Sequence, residues 1–408
     1  MSHNTLIAEI ENWLMDAALG DPEIVRLFEG LCRRLHAVGV PVQRAVLSWP
    51  TLHPLFRAEQ IFWWQGQGAK LERYYHSSAG SEHWLKSPFY HALTRGLPRI
   101  RRRLTGEGAL LDFDVLKEFA EQGYTDYLLT AAHFSISEVA DFEGGPTGLL
   151  SSWATRRESG FGDDDLEALS RIQRMLAIAC RMAIQNRVTE NLAHAYLGPT
   201  AGARVLAGDI KRGDGEFIPA VVWFSDLRGS TRLSDMMKPD DYLALLNCYF
   251  ECTAAPVIAH GGEILNFIGD GVLGIFPIDG DEAAAARRAT AAVTEALGRR
   301  AEQRKAGTPA GAAVDFGIGL DIGELMFGNI GVPERLAFSG IGRVVNTVHR
   351  IEAATKVVGT QALATAAVAA AAPGSWTPAG PHCVPDLDRA IELYTFRPAE
   401  APAAEAAE

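Results

Sequence analysis

Between Gly162 and Tyr196 the sequence keeps one helical period without a break, too long for any strand and free of proline. Leu166, Leu169, Ile172, Leu176, Cys180, Ile184 and Val188 recur three and four apart, which gives the helix a single apolar stripe. Asp163, Asp164 and Asp165 stand at its start, where negative charge suits the unpaired amides of a first turn. Leu197, Gly198 and Pro199 close it. A rod of this length divides the chain. Residues 1–160 form one half and 211–397 another, with a helical linker over 161–210. Residues 398–408, rich in Ala, Pro and Glu, predict a disordered tail.

Each half is long enough to bury its own core. Hydrophobic residues make up 48% of the chain and charged ones 22%, which predicts folded halves. The net charge of −12 argues against nucleic acid or a membrane surface as a partner. It also means that an anionic substrate needs cations or a locally basic pocket. The five cysteines include no Cys-x-x-Cys pair and predict reduced thiols. The acidic N-terminus lacks the pattern of a secretion signal, and no run approaches the roughly 20 apolar residues that span a bilayer. The expectation is a cytoplasmic, soluble protein without a membrane span.

The C-terminal half has a clear element order. FIPAVVWFSDL reads as a buried strand and KPDDYLALLNCYFECTAAPVIAHG as a helix. GEILNFIGDGVLGIFP reads as two strands joined at an Ile-Gly-Asp-Gly turn. A helix over DEAAAARRATAAVTEALGRRAEQRKAG, a strand-rich VDFGIGLDIGELMFGNIG and a helix over GRVVNTVHRIEAATKV follow. This order predicts an α+β layer with helices on a sheet. Asp226 ends the first strand and Asp270 sits in the hairpin turn. If those strands are neighbours, two carboxylates project from one sheet edge and suit hard, oxygen-preferring cations. Gly229 lets the backbone approach phosphates.

The segments FSDLRGSTRLSD, HGGEILNFIGDGVLGIFP and FGIGLDIGELMFGNIGVPERLAFSGIGRVVNTVHRIE resemble the class III adenylate and guanylate cyclases, collinearly over residues 216–397. The resemblance implies a ferredoxin-like βαββαβ-derived domain acting as a homodimer, with each active site completed by both chains. It implies two Mg²⁺ or Mn²⁺ ions per site, held by Asp226 and Asp270 with the Leu227 backbone, and a phosphate cradle formed by Leu227, Arg228, Gly229, Ser230 and Thr231. The partner copy would supply Asn346 to orient the ribose and Arg350 to meet charge on the α-phosphate. Asn266 and Ser339 occupy the two base-reading positions.

Several positions depart from that pattern. Asn266 stands where adenylate cyclases carry lysine, and Ser339 where they carry Asp or Thr. An amide pairs with either purine, so ATP is favoured over GTP by a lean only. Ser230 replaces a common Phe, and Arg389 is the only cation near the place of a phosphate-gripping lysine. The reading is an adenylate cyclase making cyclic AMP and pyrophosphate. Its alternatives are a catalytically weak or silent nucleotide- or partner-binding protein, and a guanylate cyclase.

Residues 1–160 resemble GAF-like α/β sensory domains on SWATRRESGFGDDDLEALSRI, and imply a regulator, small molecule or protein, whose identity no motif gives. The cluster Arg99–Arg103 is expected to be a solvated charged face. The stripe of the long helix is expected to pair with its twin as a parallel coiled coil that relays the signal.

Overall fold

Side chains alternate across a strand, so the sheet of the N-terminal half has a core on each of its faces. The computed structural model describes residues 3–20, 22–78, 80–134, 148–383 and 390–397. The chain falls into two units, Met1–Ala195 and Tyr196–Glu408. In the first, β1 (Arg44–Pro50), β2 (Phe56–Trp64), β3 (Gly68–Tyr75), β4 (Arg99–Arg103), β5 (Asp126–His133) and β6 (Gly148–Thr155) make an antiparallel sheet, ordered β3-β2-β1-β6-β5-β4. Ala45, Leu47, Trp49, Ile61, Trp63 and Trp153 turn to one face, under the helices His3–Ala18, Ile24–Ala37 and Asp163–Leu197. Ile100, Leu129, Leu150 and Ala154 turn to the other, with Ala92, Leu116 and Phe119 from the shorter helices Pro88–Thr94 and Asp114–Glu121.

Two expectations change here. The long helix forms as read, but all seven stripe residues are buried inside this unit's own core. Periodicity identifies an apolar face without naming what covers it, and here the cover is the unit's own sheet and helices. The stripe therefore cannot pair with a twin. Nor is the arginine cluster a solvated face: Arg101 and Arg103 meet Asp126 at 2.7 and 3.6 Å, and Arg102 meets Asp112 at 2.8 Å.

In the second unit, β7 (Gly215–Leu227), β8 (Glu263–Ile268), β9 (Gly271–Pro277), β10 (Phe316–Val332), β11 (Arg335–Ile341), β12 (Ala362–Thr365), β13 (Trp376–Cys383) and β14 (Ala390–Phe396) follow in sequence. The path is β13-β14-β12-β10-β7-β9-β8, with β11 paired to the far half of β10. β7, β8, β9 and β10, with the two long helices Pro239–Ala259 and Glu282–Ala306 and two short ones between them, form the expected βαββαβ run. Helices Pro239–Ala259 and Glu282–Ala306 cover one face through Leu245, Tyr249, Val257, Ala289 and Val293. By length and composition Pro239–Ala259 is apolar enough to cross a membrane, contrary to the expectation from sequence, though 39% of its apolar window is buried and Leu245, Tyr249, Cys252 and Val257 pack in this unit's core.

The other face carries the helix Arg343–Val358, seated through Val344, Val345 and Val348. Its seat is made by absence of side chains. A β-carbon on Gly319 would lie 2.7 Å from the Glu352 backbone nitrogen, and one on Gly317 would collide with the Glu352 and Thr355 side chains. This groove lets the helix lie against β10, close to the end of β7.

Candidate active site

Antiparallel pairing of β7 with β9 sets Asp226 opposite Gly271, the residue after Asp270. Gly269, with φ of +62°, turns the hairpin so that Asp270 follows directly. The two carboxylates thus meet at one end of the sheet, as the sequence suggested. Partial burial pushes Asp226 above the usual carboxylate range, and the neighbouring Asp270 pushes it further. Lys356 offsets this from 3.6 Å. Behind the pair stands Glu352, only 3% exposed and raised to about 7, chiefly by burial. Asp270 Oδ2 and Glu352 Oε1 are buried and have no hydrogen-bond partner among the described residues.

Three acids therefore share one nearby ammonium. That deficit of positive charge, with an orphaned carboxylate oxygen, fits a hard divalent cation. Among the described residues no group of three or more His, Cys, Asp or Glu is arranged to hold a metal by itself. A cation at Asp226 and Asp270 would have to take further oxygens from backbone, water or substrate. The Leu227 side chain is buried, so this residue has only its backbone to offer.

The turn after β7 is reached through Gly229, whose φ of +71° is left-handed, and leads into the short helix Ser230–Met236. The Arg228 guanidinium points away from that turn, donating to Thr355 Oγ1 at 3.3 Å and to the Thr360 carbonyl at 2.5 Å. The Arg228 amide is engaged as well, donating to the Asp315 carbonyl at 2.8 Å, while Ser230 is half-buried and Thr231 exposed.

Asn266 and Ser339 are 73 positions apart in sequence yet touch: Asn266 Nδ2 donates to Ser339 Oγ at 2.5 Å. A bulge in β8 between Ile264 and Asn266 sets this aim, and the Oγ side of the pair is nearly buried. Asn266 pairs with Leu273, so it lies roughly 10 Å along the hairpin from Asp270.

Asn346 and Arg350 share one side of the helix Arg343–Val358, Asn346 exposed and Arg350 half-buried. They are not among the groups gathered about Asp226. Glu352 and Lys356, each six residues further on, take those places, about 9 Å along the axis. Neither Glu352 nor Lys356 was singled out from sequence, although Arg-Ile-Glu-Ala-Ala-Thr-Lys places both on the helix that carries Arg350. Arg389 lies outside the described residues.

No family model matches the chain. Over 152 residues, 36% of its length, the chain is 32% identical to an adenylate cyclase of Anabaena cylindrica, covering 29% of that protein. Over 151 residues it is 34% identical to adenylate cyclase 1 of Rhizobium meliloti, covering 36% of this chain and 22% of that one. This chain resembles the class III nucleotide cyclases.

The likeness spans less than a third of either curated cyclase. The solved guanylyl cyclase Cya2 aligns with 47% of this chain and 97% of its own, at 28% identity and a TM-score of 0.41. In this chain the acid pair lies where β7 and the β8–β9 hairpin end. In a single chain, Asn346 and Arg350 stand apart from it.

Proposed function

We propose that the chain is an adenylate cyclase whose active site forms between two copies. The observation that carries this is the Asp226–Asp270 pair, crowded, partly buried and short of positive charge. Asp226, Asp270 and the Leu227 carbonyl would hold two Mg²⁺ or Mn²⁺ ions per site. When bound, these ions lower the pKa of the ribose 3′-hydroxyl and offset the triphosphate charge.

The chain's own residues position the rest. The backbone from Leu227 to Thr231 receives the phosphates. Asn346 of the second copy orients the ribose, and Arg350 meets the charge developing on the α-phosphate with its planar fork of donors. The 3′-oxygen bonds to the α-phosphorus as the bond to the bridging oxygen breaks. Pyrophosphate leaves and the hydroxyl proton is released. Asn266 and Ser339 read the purine. ATP is favoured because the two curated relatives described above are adenylate cyclases, while the amide itself pairs with either purine.

The N-terminal unit, a six-stranded antiparallel sheet with helices on both faces, supports a GAF-like regulatory role for residues 1–160, relayed through 161–210. The location we assign is cytoplasmic. A second reading, a silent nucleotide-binding domain, is favoured by one observation: Asn266 and Ser339 already hydrogen-bond to each other. The test is purified protein with Mg²⁺ or Mn²⁺, supplied with ATP or GTP separately. Cyclic AMP outpacing cyclic GMP supports the proposal. Equal or better GTP use makes it a guanylate cyclase, and no cyclic product from either supports the silent reading.

A further inference from the structure

The second face of the N-terminal sheet is only half filled by core. Beside the cluster around Leu129 and Phe119 lies a cavity of about 610 Å³, between the sheet and the helices Glu82–Leu85, Pro88–Thr94 and Asp114–Glu121. Its volume is that of a site for a small organic molecule. Its wall carries the rings of Phe62, Tyr74, Trp84, Phe119 and Tyr127, and also the side chains of Arg57 and Lys86.

Into this apolar space projects Arg44, the first residue of β1. Strand alternation forces that direction, because Ala45, Leu47 and Trp49 fill the opposite core. Its guanidinium carbon lies 4.4 Å from the Phe119 ring centre, and 5.7 and 5.8 Å from those of Phe62 and Trp64. Burial pulls its pKa down, and the charged-form partners that oppose this are tyrosines only. Among the described residues no carboxylate pairs with it. Arg73, Arg101, Arg102, Arg157, Arg171 and Arg187 of the unit each meet an acid, whereas Arg34 and Arg156 share the aromatic setting of Arg44, lying over Trp13 and Tyr124. The acids at the cavity mouth are also accounted for. Glu82 pairs with Lys86, Asp114 with Lys117, and Glu118 is exposed. Tyr127 adds a buried hydroxyl, near Ser152 but without a well-formed hydrogen bond.

A half-buried guanidinium with no acid partner among the described residues leaves one positive charge uncompensated. Its planar fork matches a carboxylate with two parallel hydrogen bonds, and the surrounding rings match a flat aromatic body. We propose that this cavity binds a small aromatic monocarboxylate, seated on Arg44 with its ring among Phe62, Tyr74 and Phe119. The binding stands independently of cyclase activity. Only its consequence, control of the C-terminal unit, rests on the function proposed above.

The experiment is calorimetry on the full chain without nucleotide, using indole-3-acetate, 1-naphthoate and 4-hydroxybenzoate, each beside its neutral amide. At least one acid binds, about tenfold or more tighter than its amide, and Arg44→Met removes that preference. Arg44→Met also melts higher than wild type when ligand-free, because an uncompensated buried charge is gone. Equal binding of acids and amides, or binding of none, overturns the proposal. So does a lower melting temperature for Arg44→Met, which makes Arg44 a structural prop for Phe62 and Phe119. Because no cyclic product is measured, these outcomes are separate from failure of the cyclase reading.

Discussion

Both units bury carboxylates, and they treat them in opposite ways. In the N-terminal unit Asp126 is fully buried, receives 2.7 Å and 3.6 Å contacts from Arg101 and Arg103, and accepts the Phe161 amide at 3.0 Å. Glu59, 2% exposed, is held by Arg73 and Arg187. In the C-terminal unit Asp226, Asp270 and Glu352 crowd together around Lys356, with the Arg228 guanidinium a second, weaker cation near Glu352, and Asp270 Oδ2 and Glu352 Oε1 lack hydrogen bonds among the described residues. A fold that pairs its buried acids with arginines in one place and leaves acids to mutual repulsion in another singles out the second place. Compensated acids belong to the architecture. Uncompensated acids are the ones the proposed function assigns to the chemistry.

That contrast can be broken. The largest effect expected is at Asp226→Ala, which lowers cyclic nucleotide formation by at least about 100-fold. The same change leaves the melting temperature of the metal-free protein unchanged or higher, because it relieves repulsion. A large fall in stability would place Asp226 with the architectural acids. Asp126→Ala is the converse. Removing one partner from a buried ion-pair group costs about 3 kcal/mol or more, read by denaturant unfolding. If Asp126→Ala melts like wild type, the contrast fails from the other side.

A subtler effect comes from Glu352. Its folded pKa, about 7, is raised above the ordinary carboxylate value. The folded protein therefore binds more protons than the unfolded chain between those values. The stability this confers is fully present at acid pH and is lost as pH rises through about 7. Metal-free protein is expected to lose about 5 °C of melting temperature from pH 5 to pH 8, and Glu352→Gln to flatten that slope. A slope unaltered by the substitution removes Glu352 from the crowded set. Smallest is Asn266→Ala, expected to change the ATP-to-GTP preference by about tenfold while leaving melting unaffected. No change in preference would mean that Asn266 does not read the base.

How much of this was legible in the sequence follows from what each signal specifies. β7, the β8–β9 hairpin and the helices around them were legible because apolar runs end at glycine turns and acids, and those fix both element and end. The placing of Asp226 beside Asp270 followed from that. β11 was not separated, since Arg-Leu-Ala-Phe-Ser-Gly-Ile is short and pairs only with the far half of a 17-residue β10. The role of the long helix was misread because a stripe at three and four spacing serves a sheet as well as a twin. Glu352 and Lys356 were invisible for a different reason. Their surroundings depend on a groove made by Gly317 and Gly319, and nothing in the helix's own sequence reveals it.

The central claim is a shared site: acids from one copy, amide and guanidinium from the other. Asp226→Ala and Arg350→Ala should each be inactive alone. Mixed in equal amounts and allowed to exchange, they recover roughly a quarter of wild-type cyclic AMP formation, since half the dimers are mixed and each carries one intact site. If the mixture stays as inactive as its components, the site is not built from two chains and the account is wrong.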